Sequence, residues 1–137
     1  MQFVTTEAAP ARMPHGADEH VHSPGRTEVA PAPSYPARTL TAAGDLLRAL
    51  AAPVRIAIVL ELQTAPRCVH ELVVALGVAQ PLISQHLRVL KSAGVVAGRR
   101  HGREVVYSLV DEHLAHIVVD AVTHAQEDGP ADRRNRS

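Results

Sequence analysis

The chain has 137 residues, with 14 Lys and Arg against 14 Asp and Glu, and 46% of its residues are hydrophobic. This length suits one domain of ordinary size, and the single cysteine excludes an intramolecular disulfide framework and indicates a reducing compartment. No apolar run approaches about 18 residues, and no apolar segment follows a basic start. We therefore expect neither a membrane span nor a signal peptide.

The two ends of the chain differ in composition from its middle. Residues 1–38 hold six of the ten prolines and show no apolar periodicity, so they are predicted to form a disordered, histidine-containing N-terminal arm. Residues 128–137 are polar and are predicted to form a flexible tail. The predicted folded domain is therefore 39–127, and about 90 residues make a small core for a monomer, which favours oligomerisation.

Apolar residues at helical spacing predict four helices in the first part of this domain. Pro53 separates the first two, since proline is favoured at the first position of a helix and disfavours helical geometry in the residue before it. Gly77 is the predicted C-cap of the third helix, and a short turn leads to the fourth. The predicted bounds are Leu40 to Leu50, Pro53 to Leu62, Cys68 to Leu76 and Pro81 to Ala93.

From Val95 the apolar period changes from that of a helix to that of a strand. Two strands are predicted on either side of a turn in which Gly102 supplies the positive φ, and Asp111 opens a last helix that runs to about Gln126. The predicted order is α-α-α-α-β-β-α, which is mostly α with a β-hairpin wing, and we expect a homodimeric winged helix-turn-helix. The apolar face of the last helix is predicted to be Leu114, Ile117, Val118, Ala121 and Val122, and this face is expected to form the dimer interface.

The segment Gly77–Arg103 contains five Lys or Arg and no acidic residue, whereas the remaining 110 residues carry nine basic and fourteen acidic ones. A neutral chain therefore presents a cationic fourth helix and hairpin, which favours binding to double-stranded DNA over a merely solvated surface. Side chains of these types read base edges or contact phosphates. The predicted DNA-binding residues are Gln80, Ser84, Gln85, Arg88 and Lys91 on the helix, and Arg99, Arg100 and Arg103 on the hairpin.

The last helix carries four residues of metal-ligand type, Asp111, His113, His124 and Glu127. The two histidines point to nearly the same side but lie roughly 16 Å apart along the axis, too far for one ion. Two antiparallel copies of the helix could instead join Asp111 and His113 of one protomer to His124 and Glu127 of the other. Two imidazoles and two carboxylates suit Zn2+, at two interface sites per dimer, and Co2+ could substitute. Alternatively these are ordinary surface residues, as is expected of His116, and Asp111 serves only as the N-cap of the helix.

Four motifs resemble the ArsR/SmtB family of metal-sensing repressors, and the resemblance covers about residues 40–127. It implies a cytoplasmic homodimer that represses in the metal-free form and releases its operator on binding zinc, which derepresses metal-homeostasis genes. The pattern Asp-x-His-(ten)-His-x-x-Glu at 111–127 resembles the zinc site of the zinc-sensing branch. The four motifs are Leu50-Ala51-Ala52-Pro53-Val54-Arg55, Cys68-Val69-His70-Glu71-Leu72, Ser84-Gln85-His86-Leu87-Arg88 and Gly102-Arg103-Glu104-Val105-Val106-Tyr107.

The resemblance also implies a possible second metal site. It places Cys68 and Glu71 as ligands, and the arm offers His15, His20 or His22 to complete the set. A lone cysteine beside apolar residues is alternatively structural. A three-thiolate arsenite site is excluded within one chain, because the chain has only one cysteine.

Three other functions are alternatives to a metal-sensing repressor. One is a winged-helix repressor that is independent of metal or switched by the Cys68 thiol. A zinc hydrolase is disfavoured, because the chain lacks His-Glu-x-x-His and a closed four-ligand site leaves no position for a reacting water, so we expect no enzymatic activity. A winged-helix protein-interaction module would not need a cationic, acid-free fourth helix.

Overall fold

The structure is a computed structural model that describes residues 27–127. The predicted arm residues His15, His20 and His22 and the predicted tail lie outside the described residues. The chain divides into two units at Thr41, and the second, Ala42–Ser137, contains every described strand and helices α2 to α5. The elements are α1 Ala37–Leu50, α2 Pro53–Thr64, β1 Arg67–Cys68, α3 Val69–Leu76, α4 Gln80–Ser92, β2 Val96–His101, β3 Glu104–Leu109 and α5 Glu112–Glu127.

This order confirms the predicted winged helix-turn-helix and adds one short strand to it. Cys68 was predicted to start the third helix, but it forms β1 with Arg67, and the two pair with β3, Arg67 opposite Tyr107 and Cys68 opposite Val106. The sheet order is β1-β3-β2 and all pairs are antiparallel. Two residues are too few to show the period-two alternation from which a strand is predicted.

The corner between the first two helices forms where the sequence predicts it. Pro53 occupies the first turn of α2, and Ala52 before it is extended, with φ −148° and ψ 137°. Proline lacks a backbone N–H, so it loses nothing at a position where that N–H has no partner inside the helix.

One apolar core joins the helices to the sheet. Its fully buried side chains come from α2, α3, α4 and the start of the hairpin, and α5 adds Leu114 and Val118 from the other side. Helices α3 and α4 are therefore held by the same core that supports α5. The largest fully buried side chains are Ile58, Val59, Leu72, Ile83, Leu87, Leu90 and Val95.

Replacing Leu87 by alanine is expected to lower the free energy of unfolding by about 2–5 kcal/mol, because the side chain is 1% exposed and the surrounding core cannot fully close the cavity. Leu82 on the same helix is 48% exposed, so Leu82→Ala is expected to change the free energy of unfolding by no more than about 0.5 kcal/mol. Urea unfolding at one fixed protein concentration measures both. Equal losses in the two variants would contradict this core assignment.

Among residues 27–127, no single helix is long and apolar enough to cross a membrane. Helices α3 and α4 reach that length and composition only when taken together, across a bend of 115° between them.

Candidate nucleic-acid interface and metal ligands

The bend between α3 and α4 has a local cause. Gly77 takes the left-handed conformation with φ 66°, and its N–H donates to the carbonyl of Val73 at 2.9 Å, which ends α3 as the sequence predicts. After Val78 and Ala79 the chain restarts as α4 with Pro81 in its first turn. An angle of 115° lies within the range of helix-turn-helix pairs, about 90–120°.

Helix α4 has one buried and one exposed face. Its buried side chains are Ile83, Leu87 and Leu90, spaced three or four residues apart. The predicted DNA-binding residues Gln80, Gln85, Arg88 and Lys91 are exposed, and Ser84 is half-buried. All five therefore lie outside the core, where they could contact a groove.

The hairpin presents the other basic side chains. Its two-residue turn connects His101 to Glu104, and Gly102 there has φ 63°, as the sequence predicts. Arg99, Arg100 and Arg103 are all exposed.

The positive charge of this surface is not neutralised from within the described chain. The ion pairs recorded across residues 27–127 are Arg48 with Asp45, Arg67 with Glu61 and His113 with Asp111. None of them involves the basic side chains of α4 or the hairpin. These side chains are consequently available to an anionic partner, and we call α4 and the β2–β3 hairpin together the basic face.

The first half of the predicted metal site is brought together at the start of α5. Asp111 stands at the N-cap position, where its Oδ1 accepts a hydrogen bond from the backbone N–H of His113 at 2.9 Å. The same oxygen lies 3.4 Å from Nδ1 of His113. The side chain of His113 is 91% exposed and that of Asp111 is 53% exposed. Asp111 thus acts as an N-cap, the alternative that the sequence left open, while the pair still faces outward.

The second half of that set lies at the other end of α5. His124 and Glu127 are exposed, and so is His116. Eleven residues of helix separate His124 from His113, which is roughly 16 Å. Within the described part of a single chain, no group of three or more His, Cys, Asp and Glu side chains is arranged to hold a metal ion.

The apolar face predicted for α5 is largely used inside the chain. Leu114 is 6% exposed and Val118 is 2% exposed, and both belong to the core cluster, with Ile117 and Val122 packed against it. The expectation that this stripe as a whole supplies a dimer surface is therefore corrected. Of the five residues, Ala121 is the exposed one.

Cys68 and Glu71, the two described residues of the possible second metal site, lie together and are hydrogen-bonded to each other. Cys68 is 6% exposed and is the N-cap of α3, where the two residues form a capping box. The backbone N–H of Cys68 donates to Oε1 of Glu71 at 2.9 Å. This hydrogen bond is the main reason that the pKa of Glu71 is lowered, and contact with the Cys68 thiol and the charges of Arg67 and His70 act in the same direction. The arrangement supports the structural interpretation of the cysteine.

Replacing Glu71 by alanine is expected to destabilise the fold at neutral pH, because the carboxylate accepts the Cys68 N–H. Since the folded-state pKa is lowered, this contribution is complete above the ordinary glutamate pKa of about 4.3 and is lost as the pH falls through the folded value. Urea midpoints of wild type and Glu71→Ala should therefore converge in acid. Glu71→Gln keeps an uncharged acceptor and should lose less at neutral pH. A difference from wild type that does not depend on pH would contradict the proton linkage.

One contact in this region was not predicted. Arg55 on α2 donates from Nη1 to Nδ1 of His86 on α4 at 3.2 Å, and from Nε to the carbonyl of Ala49 at 2.6 Å. Both residues lie in motifs that support the family resemblance, but no role was assigned to either. The sequence offered one indication for His86. It lies between the exposed positions Gln85 and Arg88 and beside the apolar residues Ile83 and Leu87, which places it at the edge of the buried face of α4.

Comparison with known proteins agrees with this geometry. The sequence matches the family described as "Bacterial regulatory protein, arsR family" over residues 52–97. The HTH-type transcriptional repressor SmtB of Mycobacterium tuberculosis is 60% identical over 135 residues, covering 92% of this chain and 98% of that protein. The HTH-type transcriptional regulator NmtR of the same organism is 41% identical over 96 residues, covering 69% of this chain and 80% of NmtR.

A solved structure with the same fold is the homodimeric winged helix-turn-helix DNA-binding domain of Mb0332 from Mycobacterium bovis, described as a possible ArsR-family transcriptional regulator. It is 29% identical, with a TM-score of 0.60 over 67% of this chain and 87% of that one. The relatives and the fold lead to the same assignment: the chain belongs to the ArsR/SmtB family of winged helix-turn-helix transcriptional regulators.

Proposed function

We propose that the chain is a cytoplasmic, zinc-responsive transcriptional repressor. The metal-free homodimer binds operator DNA, and zinc held between the two α5 helices causes release and derepresses metal-homeostasis genes. The observation that carries the proposal is the set of exposed ligand-type side chains at the two ends of α5, with Asp111 and His113 already 3.4 Å apart. Similarity to SmtB, a repressor by its name, supports the repressing direction.

The basic face supports the DNA-binding part of this proposal. Five basic side chains lie on α4 and the hairpin that follows it, and none of them has a carboxylate partner among residues 27–127. In winged helix-turn-helix proteins the second helix of the motif reads the major groove. Gln85 and Arg88 are exposed on this helix, and side chains of these types pair with adenine and guanine edges respectively. Hairpin arginines are suited to phosphates or to the adjacent minor groove.

The exposed residues of α5 fit zinc by their chemistry. Asp111 and His113 of one protomer and His124 and Glu127 of a second copy would together supply two imidazoles and two carboxylates, a suitable tetrahedral set. Zinc would supply a link between the α5 helices of the two protomers. The antiparallel pairing would create two equivalent sites around a two-fold axis.

A ligand shifts an equilibrium only by its differential affinity for two states. α5 and α4 pack on one core, to which Val118 contributes from α5 and Leu87 and Leu90 from α4. A change in the relation between two α5 helices would therefore move the two α4 helices with respect to each other. Couplings of this kind are typically about 1–3 kcal/mol, which corresponds to a change in DNA affinity of up to roughly 150-fold.

A second metal site at Cys68 and Glu71, completed by His15, His20 or His22, is the alternative location for the ion. Both described residues are engaged in a capping box, and the Cys68 side chain that would coordinate an ion is buried. The alternative of a repressor switched by the Cys68 thiol faces the same obstacle, because the thiol is buried.

The test is a DNA-binding titration on the fragment upstream of the protein's own gene. Fluorescence anisotropy would follow metal-free protein, then Zn2+, Co2+, Ni2+ and Cd2+ in separate titrations, each reversed with a chelator. We expect dimer binding without metal and reversible release by Zn2+ and Co2+. Binding that no metal alters would support the metal-independent repressor, and failure to bind any upstream DNA would support the protein-interaction module.

A further inference from the structure

Arg55 connects three helices of the fold, and its contact with α4 spans 31 positions of the chain. It lies in the first turn of α2 and is half-buried. Its Nε donates to the carbonyl of Ala49 near the end of α1 at 2.6 Å, and its Nη1 lies 3.2 Å from Nδ1 of His86 on α4. One guanidinium thus contacts the end of α1 and the predicted recognition helix at once.

The contact with Ala49 satisfies a need of α1. The last four carbonyls of a helix have no partner inside it, and a cation near this end also complements the helix dipole. Ala49 is itself 7% exposed, so water has little access to the residue. Arg55 therefore supplies a donor that the chain needs at this corner.

The direction of the hydrogen bond between Arg55 and His86 follows from the chemistry of the two groups. Arginine has donors only and remains charged, so Nδ1 must accept the hydrogen bond. In this contact the ring's own N–H donor is therefore at Nε2. His86 is half-buried, whereas its neighbour Gln85 is exposed. The ring therefore lies at the boundary between the buried and the exposed face of α4.

We propose that Arg55 and His86 are positioning residues for DNA recognition. By holding Nδ1 of His86 against a guanidinium fixed to the end of α1, they set the orientation of α4, and with it the reach of the exposed side chains Gln85 and Arg88. This inference rests on the proposed DNA-binding function, and it concerns two residues that belong neither to the α5 ligand set nor to the predicted DNA-contacting side chains.

Three substitutions of His86 test this with metal-free protein on the upstream DNA fragment. His86→Phe keeps the ring shape without an acceptor and should weaken binding about tenfold. His86→Asn places an amide oxygen near the position of Nδ1 and should restore affinity to within about threefold of wild type. His86→Gln reaches the position of Nε2 instead and should remain as weak as His86→Phe.

Arg55→Lys is a second variant that keeps the charge but cannot make both hydrogen bonds. It should lose about as much affinity as His86→Phe, and the double variant should lose less than the sum, since the two residues act as one unit. Thermal unfolding confirms that each variant is folded at the assay temperature.

Either of two results would overturn the inference: wild-type affinity in both His86→Phe and Arg55→Lys, or rescue by Gln in place of Asn, which would indicate a contact through Nε2. Failure of the wild-type protein to bind DNA is seen before any substitution, and it would overturn the DNA-binding proposal and this inference with it.

Discussion

Replacing His124 by alanine is expected to abolish the release of DNA by zinc while leaving metal-free DNA binding intact. The substitution removes one of four proposed ligands from each of two sites, so zinc affinity should fall at least about 100-fold. The side chain is exposed near the end of α5, away from α4 and the hairpin in sequence. Anisotropy titrations of the protein–DNA complex with Zn2+, compared with wild type, measure the effect.

The matched control is His116→Ala. It removes an exposed histidine from the same helix, eight positions away and outside the proposed ligand set. This variant should release DNA at the same zinc concentration as wild type. If His124→Ala still responds to zinc as readily as the control, the α5 assignment is wrong, and the Cys68 region becomes the remaining candidate within the described chain.

Dimer symmetry supplies a second check on the same assignment. Each proposed site takes Asp111 and His113 from one protomer and the other two ligands from its partner. A mixed dimer of His113→Ala and His124→Ala chains would therefore contain one site with all four ligands and one with two. It should bind about half as much zinc as wild type, whereas each variant alone should bind none tightly.

Most of the fold was predictable because the start and end of its elements are determined by residues close together in the sequence. Pro53, Gly77 and Gly102 each mark a position where the backbone has few alternatives, and the structure places a helix start, a helix end and a hairpin turn there. β1 was missed because a strand of two residues is defined by its partner Tyr107 and not by its own pattern.

The candidate site was less predictable where it depends on which face of a helix packs into the chain's own core and which face remains exposed. The spacing of ligand types on α5 is a local property, and their common exposure agrees with it. The apolar stripe beside them was assigned to a dimer surface, but Leu114 and Val118 pack into the chain's own core. Periodicity identifies an apolar face without stating what covers it. The pairing of Arg55 with His86 spans 31 positions, so no local pattern could reveal it.

Removing Arg99 and Arg100 together is expected to weaken DNA binding at least tenfold at fixed salt and to make it less sensitive to salt. Each side chain is exposed on the hairpin and has no carboxylate partner among the described residues. A dimer that loses four phosphate contacts should show a slope of log affinity against log salt that is shallower by about 3 to 4. Anisotropy titrations at several salt concentrations yield both quantities.

The double variant Arg38→Ala with Arg48→Ala is the control for total charge. It removes the same number of positive charges from α1, where Arg48 is 74% exposed and pairs with Asp45 at 2.6 Å. Because counterion release depends on charges that contact phosphates rather than on net charge, this variant should keep the wild-type slope. Equal slopes in the hairpin variant and wild type would show that the hairpin does not contact the DNA backbone, and binding would then depend on α4 alone.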